Sequence, residues 1–371
     1  MQGTHLLESG IKTEDCKNGT SGAHSTLFPL LEKEGFLFFG KEGIFVCFSF
    51  FDRANRFLGK MMPIFIPGSL IIGMVLGHRL TGLLFLVPWL FAFMTFTGSI
   101  GSTFKQLGAV VRHPFPVLLA LGVLHLFMPL FAYGTGHLLF SGHPLTTTGF
   151  LLSAAIPTGV TSFVWVMMQK GNIPLVLTVI LIDTLLSPVV VPLTLLLFVG
   201  KSVHIEVWPL MQDLFTMIVI PSLLGILFSQ FTQLETQRKA ASVLSPFSKI
   251  GMFLVVMING GVVSPYLRGM DAHVLFIILT VLFISASGYL LSWLIGALFH
   301  LDRSMIVTLT YSGGMRNISA GSVIAVTFFP AQVVLPVISG MLFQQVLASF
   351  FGTLLSSVYR DKKTEKPAAS S

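Results

Sequence analysis

The chain has 371 residues, of which 53% are hydrophobic and 10% charged, and its mean hydropathy is +0.86. Soluble domains hold about 25% charged and about 45–50% apolar residues, so this composition excludes a soluble enzyme. A formal net charge of +7 in so apolar a chain is typical of basic cytoplasmic loops rather than of a nucleic-acid-binding surface. The two cysteines, Cys16 and Cys47, provide neither a disulfide framework nor a metal site.

Ten apolar runs, each near the length of about 20 residues that crosses a bilayer, follow one another along the chain. Numbered spans 1 to 10, they cover residues 61–77, 82–103, 113–139, 147–168, 173–199, 208–230, 247–266, 273–299, 304–328 and 331–357. The sequence therefore predicts an all-α integral membrane protein with ten transmembrane helices. Residues 1–50 lack the pattern of a signal peptide and are predicted to be a poorly ordered extension, and residues 360–371 a tail.

The distribution of Lys and Arg predicts the orientation in the membrane, because basic residues near span ends favour the cytoplasm. With a cytoplasmic N-terminus, only Arg79, Lys201 and Arg268 lie outside. The basic residues that then lie inside are Arg53, Arg56, Lys60, Lys105, Arg112, Lys170, Arg238, Lys239, Lys249, Arg303, Arg360, Lys362 and Lys363. We therefore expect both termini on the cytoplasmic side of the plasma membrane.

An internal repeat relates the two halves of the chain. Residues 66–70 in span 1 resemble residues 220–224 in span 6 at an offset of 154, and Gly159 in span 4 aligns with Gly314 in span 9 at an offset of 155. Because five helices repeat as five, the second copy must be inverted in the membrane. Inverted repeats with interrupted helices at matching positions indicate the binding site of a secondary transporter, although Pro and Gly are also common in ordinary membrane helices.

Two charged residues lie far from any predicted loop, Asp183 in span 5 and Arg316 in span 9. Each costs at least ~2.5–3.5 kcal/mol at the bilayer centre unless it is paired or hydrated. We expect them to face one polar cavity, the alternative being a static ion pair that only stabilises the fold. His125 in span 3 is a candidate proton carrier or a structural hydrogen-bonding residue, and Gln344 and Gln345 in span 10 either line the cavity or link helices.

The motifs of spans 4, 5 and 9 resemble those of the bile acid:sodium symporters and their bacterial relatives, over roughly residues 55–358. The fourth helix of that family carries Pro-Gly-Gly-Thr-Ala-Ser-Asn and, nine residues later, Gly-Asn. Residues 157–163 read Pro-Thr-Gly-Val-Thr-Ser-Phe, and Gly171-Asn172 follow. The family's fifth helix has a Ser-Pro and a second Pro, as in Ser187-Pro188 and Pro192. The family's ninth-helix motif, Glu-x-Gly-Met-Gln-Asn, is Ser-Gly-Gly-Met-Arg-Asn at residues 312–317.

The resemblance implies a definite architecture. Spans 1, 2, 6 and 7 would form a panel domain, and spans 3–5 and 8–10 a core domain in which the broken spans 4 and 9 cross. The transporter would occupy residues 51–359. Substrate would cross the membrane by alternating access, as the panel moves against the core.

The sodium sites of that family are degraded in this sequence. Of the ligand positions that the resemblance assigns, Ser162 is retained, but a family Asn is Phe163 and two hydroxyl positions fall on Val176 and Ile180. Ser312 occupies the position of a family Glu, and Arg316 occupies that of a family Gln. His125 lies beside the position of a further Gln. A sodium ion about 4 Å from a guanidinium would cost roughly 4 kcal/mol at an effective dielectric of 20. We therefore expect Arg316 to stand in for a sodium ion.

The resulting prediction is a secondary transporter of a small organic anion, proton-coupled or uncoupled, and not an enzyme. The partial positive charge of half-helix N-termini would favour the substrate carboxylate. The predicted binding residues are Thr161, Ser162, Asp183, Ser312, Met315, Arg316, Asn317 and His125. No cofactor, metal centre or nucleic-acid partner is expected; the partners are the organic anion, the lipid bilayer and Na⁺ or H⁺. A sodium-coupled anion symporter and a non-transporting membrane sensor or scaffold remain as alternatives.

Overall fold

The computed structural model describes residues 41–103, 114–200, 203, 205–268 and 271–359. The predicted extension, apart from residues 41–50, and the predicted tail lie outside the described residues. Backbone contacts divide the chain into two units between Phe50 and Phe51, and the described residues of the first unit, 41–50, are helical. Within the described ranges the chain forms helices and no strand, with one isolated β-bridge between Thr158 and Arg316.

The described residues form twelve helices, α1 to α12. They are α1 Lys41–Leu76, α2 Leu86–Ser99, α3 Pro114–Leu139, α4 Pro144–Ala155, α5 Ser162–Met168, α6 Ile173–Val199, α7 Val207–Phe231, α8 Leu234–Arg268, α9 Ala272–Leu298, α10 Arg303–Gly314, α11 Ile318–Phe328 and α12 Ala331–Val358. A 3₁₀ helix, Gly77–Leu83, follows α1. Single π-helical turns lie inside α3, at Val123–Phe127, and inside α7, at Phe215–Val219.

The described ranges hold 6 helices that are long and apolar enough to cross a membrane, α3, α6, α7, α8, α9 and α12. Helix α1, bent by 71° between Arg53–Gly59 and Ile64–Leu76, raises the number to 7. The prediction was ten, and the difference lies in spans 2, 4 and 9. Span 2 has a helix of only 14 residues, α2, and spans 4 and 9 are each divided into two short helices. The chain is an integral membrane protein whose described residues fold into helices.

In each divided span, the first helix ends at a residue with extended backbone. Helix α4 stops before Ile156, which has ψ of 150° because the following Pro157 disfavours helical backbone at that position. Helix α10 stops before Met315, which has φ of −99° and ψ of 118°. The chain resumes helical structure at Ile318, where the side chain of Asn317 caps α11 by accepting a bond from the backbone N–H of Ala320 at 3.2 Å.

The start of α8 differs from the predicted span 7. Span 7 was predicted to begin at residue 247, but α8 begins at Leu234, and Glu235 and Lys239 form an ion pair of 2.6 Å one turn apart. Polar residues continue a helix readily when it extends beyond the apolar layer, since spacing of four residues places opposite charges together.

The helices pack through small residues at close contacts. Helix α2 packs against α7 and α8, and α1 meets α8 at Gly73 and Gly260. A Cβ atom on Gly73 would lie 2.0 Å from the carbonyl oxygen of Met257, so only glycine allows this approach. The other long helices, α3, α6, α9 and α12, surround the two divided spans. This packing places the breaks of spans 4 and 9 in the interior of the protein.

Candidate substrate and ion site

The two breaks contact each other through backbone hydrogen bonds. The N–H of Gly159 donates to the carbonyl of Met315 at 3.0 Å, and the N–H of Asn317 donates to the carbonyl of Pro157 at 2.8 Å. Buried backbone groups released from a helix must find partners, and here each break satisfies the other. Four helix ends therefore meet at this crossing. They belong to α4 and α5 of one span and to α10 and α11 of the other.

Thr158 occupies the centre of the crossing and was missed among the predicted binding residues. Its buried hydroxyl donates to the carbonyl oxygens of Ser312 at 2.8 Å and Met315 at 3.0 Å. Its N–H donates to Oδ2 of Asp183 at 2.6 Å. The sequence held a signal for this role, because the family motif has Gly at this position and Thr brings a hydroxyl into a segment that has lost its helical hydrogen bonds.

Asp183 and His125 form a close pair beside the crossing. Asp183 in α6 is fully buried, and its Oδ1 lies 2.8 Å from Nε2 of His125 in the π-helical turn of α3. The contact falls outside hydrogen-bond geometry, since neither atom has a directed partner among the described residues. It becomes an ion pair when His125 is protonated. A π-helical turn frequently marks a functional position in a helix.

Arg316 is buried and its side chain has no carboxylate partner in the described part of the chain. Its Nη1 donates to the carbonyl of Ile156 at 3.4 Å, at the C-terminal end of α4, and its backbone N–H donates to Oε1 of Gln344 at 3.0 Å. Its Nη2 is buried without a hydrogen-bond partner among the described residues. No Arg316–Asp183 salt bridge is formed there, because the two carboxylate oxygens of Asp183 face Thr158 and His125.

The other predicted binding residues lie along the same two breaks. Thr161 precedes α5 as its N-cap, without a side-chain capping bond, and Ser162 is the first residue of α5. The hydroxyls of Ser162 and Ser312 are buried and have no hydrogen-bond partner in the described ranges. Met315 is fully buried and contributes its carbonyl to the crossing. Together with Asn317, these residues lie along the two breaks.

The positions assigned to sodium ligands on α5 and α6 are apolar in their surroundings as well as in their side chains. Val176 and Ile180 belong to a buried apolar cluster with Val166 and Tyr311, and Phe163 packs against it. A hard cation binds through several oxygen ligands, which these side chains do not offer. Among the described residues, no group of three or more His, Cys, Asp or Glu side chains could hold a metal ion.

Two cavities flank helix α12. The small one, of about 30 Å³, is lined by residues that include Arg316, Gln344, Ser285 and Tyr289. The large one, of about 560 Å³, opens between α1, α5 and α12, and its lining includes Ile66, Trp165, Met341, Gln345 and Phe350. Trp165 donates from Nε1 to Oε1 of Gln345 at 3.2 Å. Of the two glutamines, Gln344 thus lies at the crossing and Gln345 lines the large crevice, whose volume is within the range of ligand pockets.

Interrupted helices that cross inside a membrane protein, beside buried charged groups, are typical of secondary transporters. The family model described as "Sodium Bile acid symporter family" matches residues 88–267. The chain is 50% identical to the uncharacterized protein YbaS of Bacillus subtilis (strain 168) over 295 residues, 80% of this chain and 96% of that protein. The chain belongs to the sodium bile acid symporter family, and it is a transporter rather than an enzyme.

Two further relatives carry functional names. The chain is 27% identical to the uncharacterized sodium-dependent transporter YocS of Bacillus subtilis (strain 168) over 330 residues, 86% of this chain and 96% of that protein. It is 22% identical to the hepatic sodium/bile acid cotransporter of Rattus norvegicus over 305 residues, 78% of this chain and 81% of that protein. The similarity to both extends over most of each chain.

Proposed function

We propose that the protein is a plasma-membrane secondary transporter of a small organic anion in which Arg316 replaces a coupling sodium ion. The observation that carries this proposal is the bond from Nη1 of Arg316 to the carbonyl of Ile156, at the C-terminal end of α4. In transporters with broken helices, such helix ends and freed carbonyls bind the coupling cation, because their partial charge is negative. A guanidinium at this position supplies a fixed positive charge in place of the ion.

Thr158 supports the same proposal. The carbonyls of Ser312 and Met315, which the break in span 9 releases, are the type of ligand that binds sodium in unwound helices. Both accept the hydroxyl of Thr158. A sodium ion at these carbonyls would have to displace this bond and would lie near the Arg316 charge. Thr158 and Arg316 therefore take over two of the electrostatic functions of a bound cation.

The proposed architecture is the inverted repeat of five helices with five. Helices α1, α2, α7 and α8 form the panel, and α3 to α6 with α9 to α12 form the core, with each divided span counted once. This division is supported by the packing of α2 with α7 and α8 and by the offset of 155 between Gly159 and Gly314. The distribution of basic residues supports two cytoplasmic termini.

The large crevice is the proposed site for the body of the substrate. It lies between α1, a panel helix, and α5 and α12, two core helices, so movement of the panel would change its access to either side. Its lining is mainly apolar, with Trp165, Met341 and Phe350, and Gln345 provides an amide. An organic anion with a substantial apolar portion fits this lining better than a small polyanion. Two of the relatives are named for bile acid or sodium-dependent transport.

The Asp183–His125 pair is the proposed proton-binding group. Protonation of His125 turns the 2.8 Å contact with the fully buried Asp183 into an ion pair, which is stronger there than in bulk water. Asp183 is also bonded to the N–H of Thr158, so a change in the charge of this pair acts directly on the crossing. Proton binding would in this way be linked to the geometry of the two broken spans.

Uptake measurements in proteoliposomes test the proposal. We expect accumulation of an apolar organic anion that persists when K⁺ or choline replaces Na⁺ and that increases with an inwardly directed proton gradient. Arg316→Ala should abolish uptake or change its coupling while expression stays intact, and unchanged uptake would remove Arg316 from the mechanism. A strict and saturable requirement for Na⁺ would overturn the replacement of sodium by Arg316.

Sodium-coupled symport is the second candidate, favoured by one specific observation. The hydroxyls of Ser162 and Ser312 are buried without a hydrogen-bond partner in the described ranges, and they are oxygen ligands at two positions that the family uses for sodium. Ser162→Ala with Ser312→Ala would then abolish Na⁺-dependent uptake. If Arg316 has replaced sodium, this double variant should keep its uptake in Na⁺-free medium. Ligand-dependent thermal stabilisation with no flux in any ion gradient would instead indicate a sensor or scaffold.

A further inference from the structure

The positive charge of Arg316 is buried and incompletely compensated by the described residues. Arg316 is 7% exposed, and its Nη2 has no hydrogen-bond partner among the described residues. An ion taken out of water costs several kcal/mol unless a counter-charge and hydrogen bonds compensate it. The nearby carboxylate of Asp183 does not do so directly, because its two oxygens face Thr158 and His125.

The small cavity beside Arg316 has the size and lining of a site for a compact anion. Its volume is about 30 Å³, and a water molecule needs about 10–15 Å³ of such space, so a halide or the head of a carboxylate fits whereas a whole organic anion does not. Its lining includes the hydroxyl residues Ser153 and Ser285, the amide residue Gln344 and no acidic residue.

The orientation of the neighbouring groups favours a negative charge in this cavity. Oε1 of Gln344 already accepts the N–H of Arg316, and the carbonyl of Gln344 accepts the hydroxyl of Tyr289 at 3.2 Å. The NH₂ end of the Gln344 amide and the hydroxyl of Ser285 are donors, as is Nη2 of Arg316. A cation would meet the guanidinium charge, whereas an anion would be stabilised by it in a region of low dielectric.

We propose that this cavity binds a compact monovalent anion through Arg316, Ser285 and Gln344. The anion is a free halide or the carboxylate head of a small acid, two sources that share one chemistry. The region that binds cations in sodium-coupled relatives has in this chain become an anion site. This inference deepens the proposed function and rests on it for any link to transport, because Arg316 is there the fixed positive charge in place of sodium, but anion binding is measurable without transport.

The first test uses the full chain in nanodiscs, with bromide and acetate as probes in a gluconate background of constant ionic strength. We expect bromide, acetate or both to raise the midpoint of thermal unfolding in a saturable way. Arg316→Gln should remove this effect. Ser285→Ala should raise the half-maximal anion concentration by about fivefold, the factor expected for one hydrogen bond. The matched control is Ser287→Ala, on the same helix and buried but outside the cavity lining, which should respond as the parent does.

The second test locates the anion. Crystals grown with bromide should show an anomalous peak within hydrogen-bond distance of the Arg316 guanidinium. Stabilisation by bromide alone identifies a free-ion site, and competition by acetate identifies a carboxylate site. The proposal is overturned if no anion raises the unfolding midpoint in a saturable way. It is also overturned if the rise is as large in Arg316→Gln and Ser285→Ala as in the parent. If anion binding persists while proteoliposomes transport no organic anion under any gradient, the proposed function fails and the anion site stands.

Discussion

At the scale of single residues, the hydroxyl of Thr158 links the two broken spans. It donates to the carbonyls of Ser312 and Met315, and in the described ranges no other bond to the Ser312 carbonyl joins the two breaks. Thr158→Val keeps the volume of the side chain and removes the donor. We expect a loss of about 1–3 kcal/mol, the cost of leaving a buried carbonyl unsatisfied, seen as a lower midpoint of thermal unfolding in nanodiscs. Thr158→Ser should stay near the parent, and equal midpoints for Val and Ser would refute this role.

We predict that proton coupling depends on the negative charge of Asp183 rather than on the shape of its side chain. Asp183→Asn can still accept the N–H of Thr158 but no longer provides a negative partner for His125. We therefore expect uptake to lose its response to a proton gradient, while the protein folds and reaches the membrane. The same chemical change at Asp213, which is on α7 and so belongs to neither divided span, serves as the control. Proton-stimulated uptake that is unchanged in Asp183→Asn would exclude the Asp183–His125 pair as the proton-binding group.

At the scale of helices, the close packing of α9 against α10 holds one side of the crossing. A Cβ atom on Gly314 would lie 2.3 Å from the ring of Tyr289, a distance that forces the buried ring or the helix to move. We expect Gly314→Ala to lower the midpoint of unfolding, because the steric cost exceeds the gain in helix propensity that alanine brings. Gly134→Ala, at a helical position with open space around its Cβ, should be neutral or stabilising by up to about 1 kcal/mol. Equal midpoints for the two variants would contradict this packing role.

The sequence predicted the helical class and the two interruptions, because each of these depends on local chemistry. Each of these features can be recognised from single residues, namely Pro157, the glycines and the isolated charges of Asp183 and Arg316. The partner of Asp183 was not predictable in the same way. Arg316 was the only partner considered for it, whereas the contact is made by His125, which lies in a π-helical turn of α3. No pattern of apolar residues encodes that turn.

The number of long spans shows a second limit of sequence reasoning. Span 2 contains a helix of only 14 residues, and span 7 was placed too late because the polar start of α8 has the composition of a loop. Hydropathy measures whether a segment is apolar, whereas helix ends depend on backbone hydrogen bonds and on pairs such as Glu235 and Lys239. The apolar content of the spans was therefore predicted better than their boundaries.

At the scale of the whole molecule, the proposed transport cycle requires the panel to move against the core across the large crevice. Met62 on α1 and Ser349 on α12 both line that crevice, so a link between them joins the two proposed domains. In a background with Cys16→Ser and Cys47→Ser, we expect a reducible bifunctional reagent to block uptake in the variant Met62→Cys/Ser349→Cys. Reduction of the link should restore uptake.

The control for this experiment must carry the same reagent without joining panel to core. Met94 on α2 and Gly251 on α8 are neighbours, since a Cβ on Gly251 would lie 3.7 Å from the Met94 side chain, and both helices belong to the proposed panel. A link between cysteines at these two positions should leave uptake intact, because it bridges groups that move together. If the link across the crevice also leaves uptake intact, movement of the panel against the core cannot be the transport step, since the substrate would then cross while the two domains are held together.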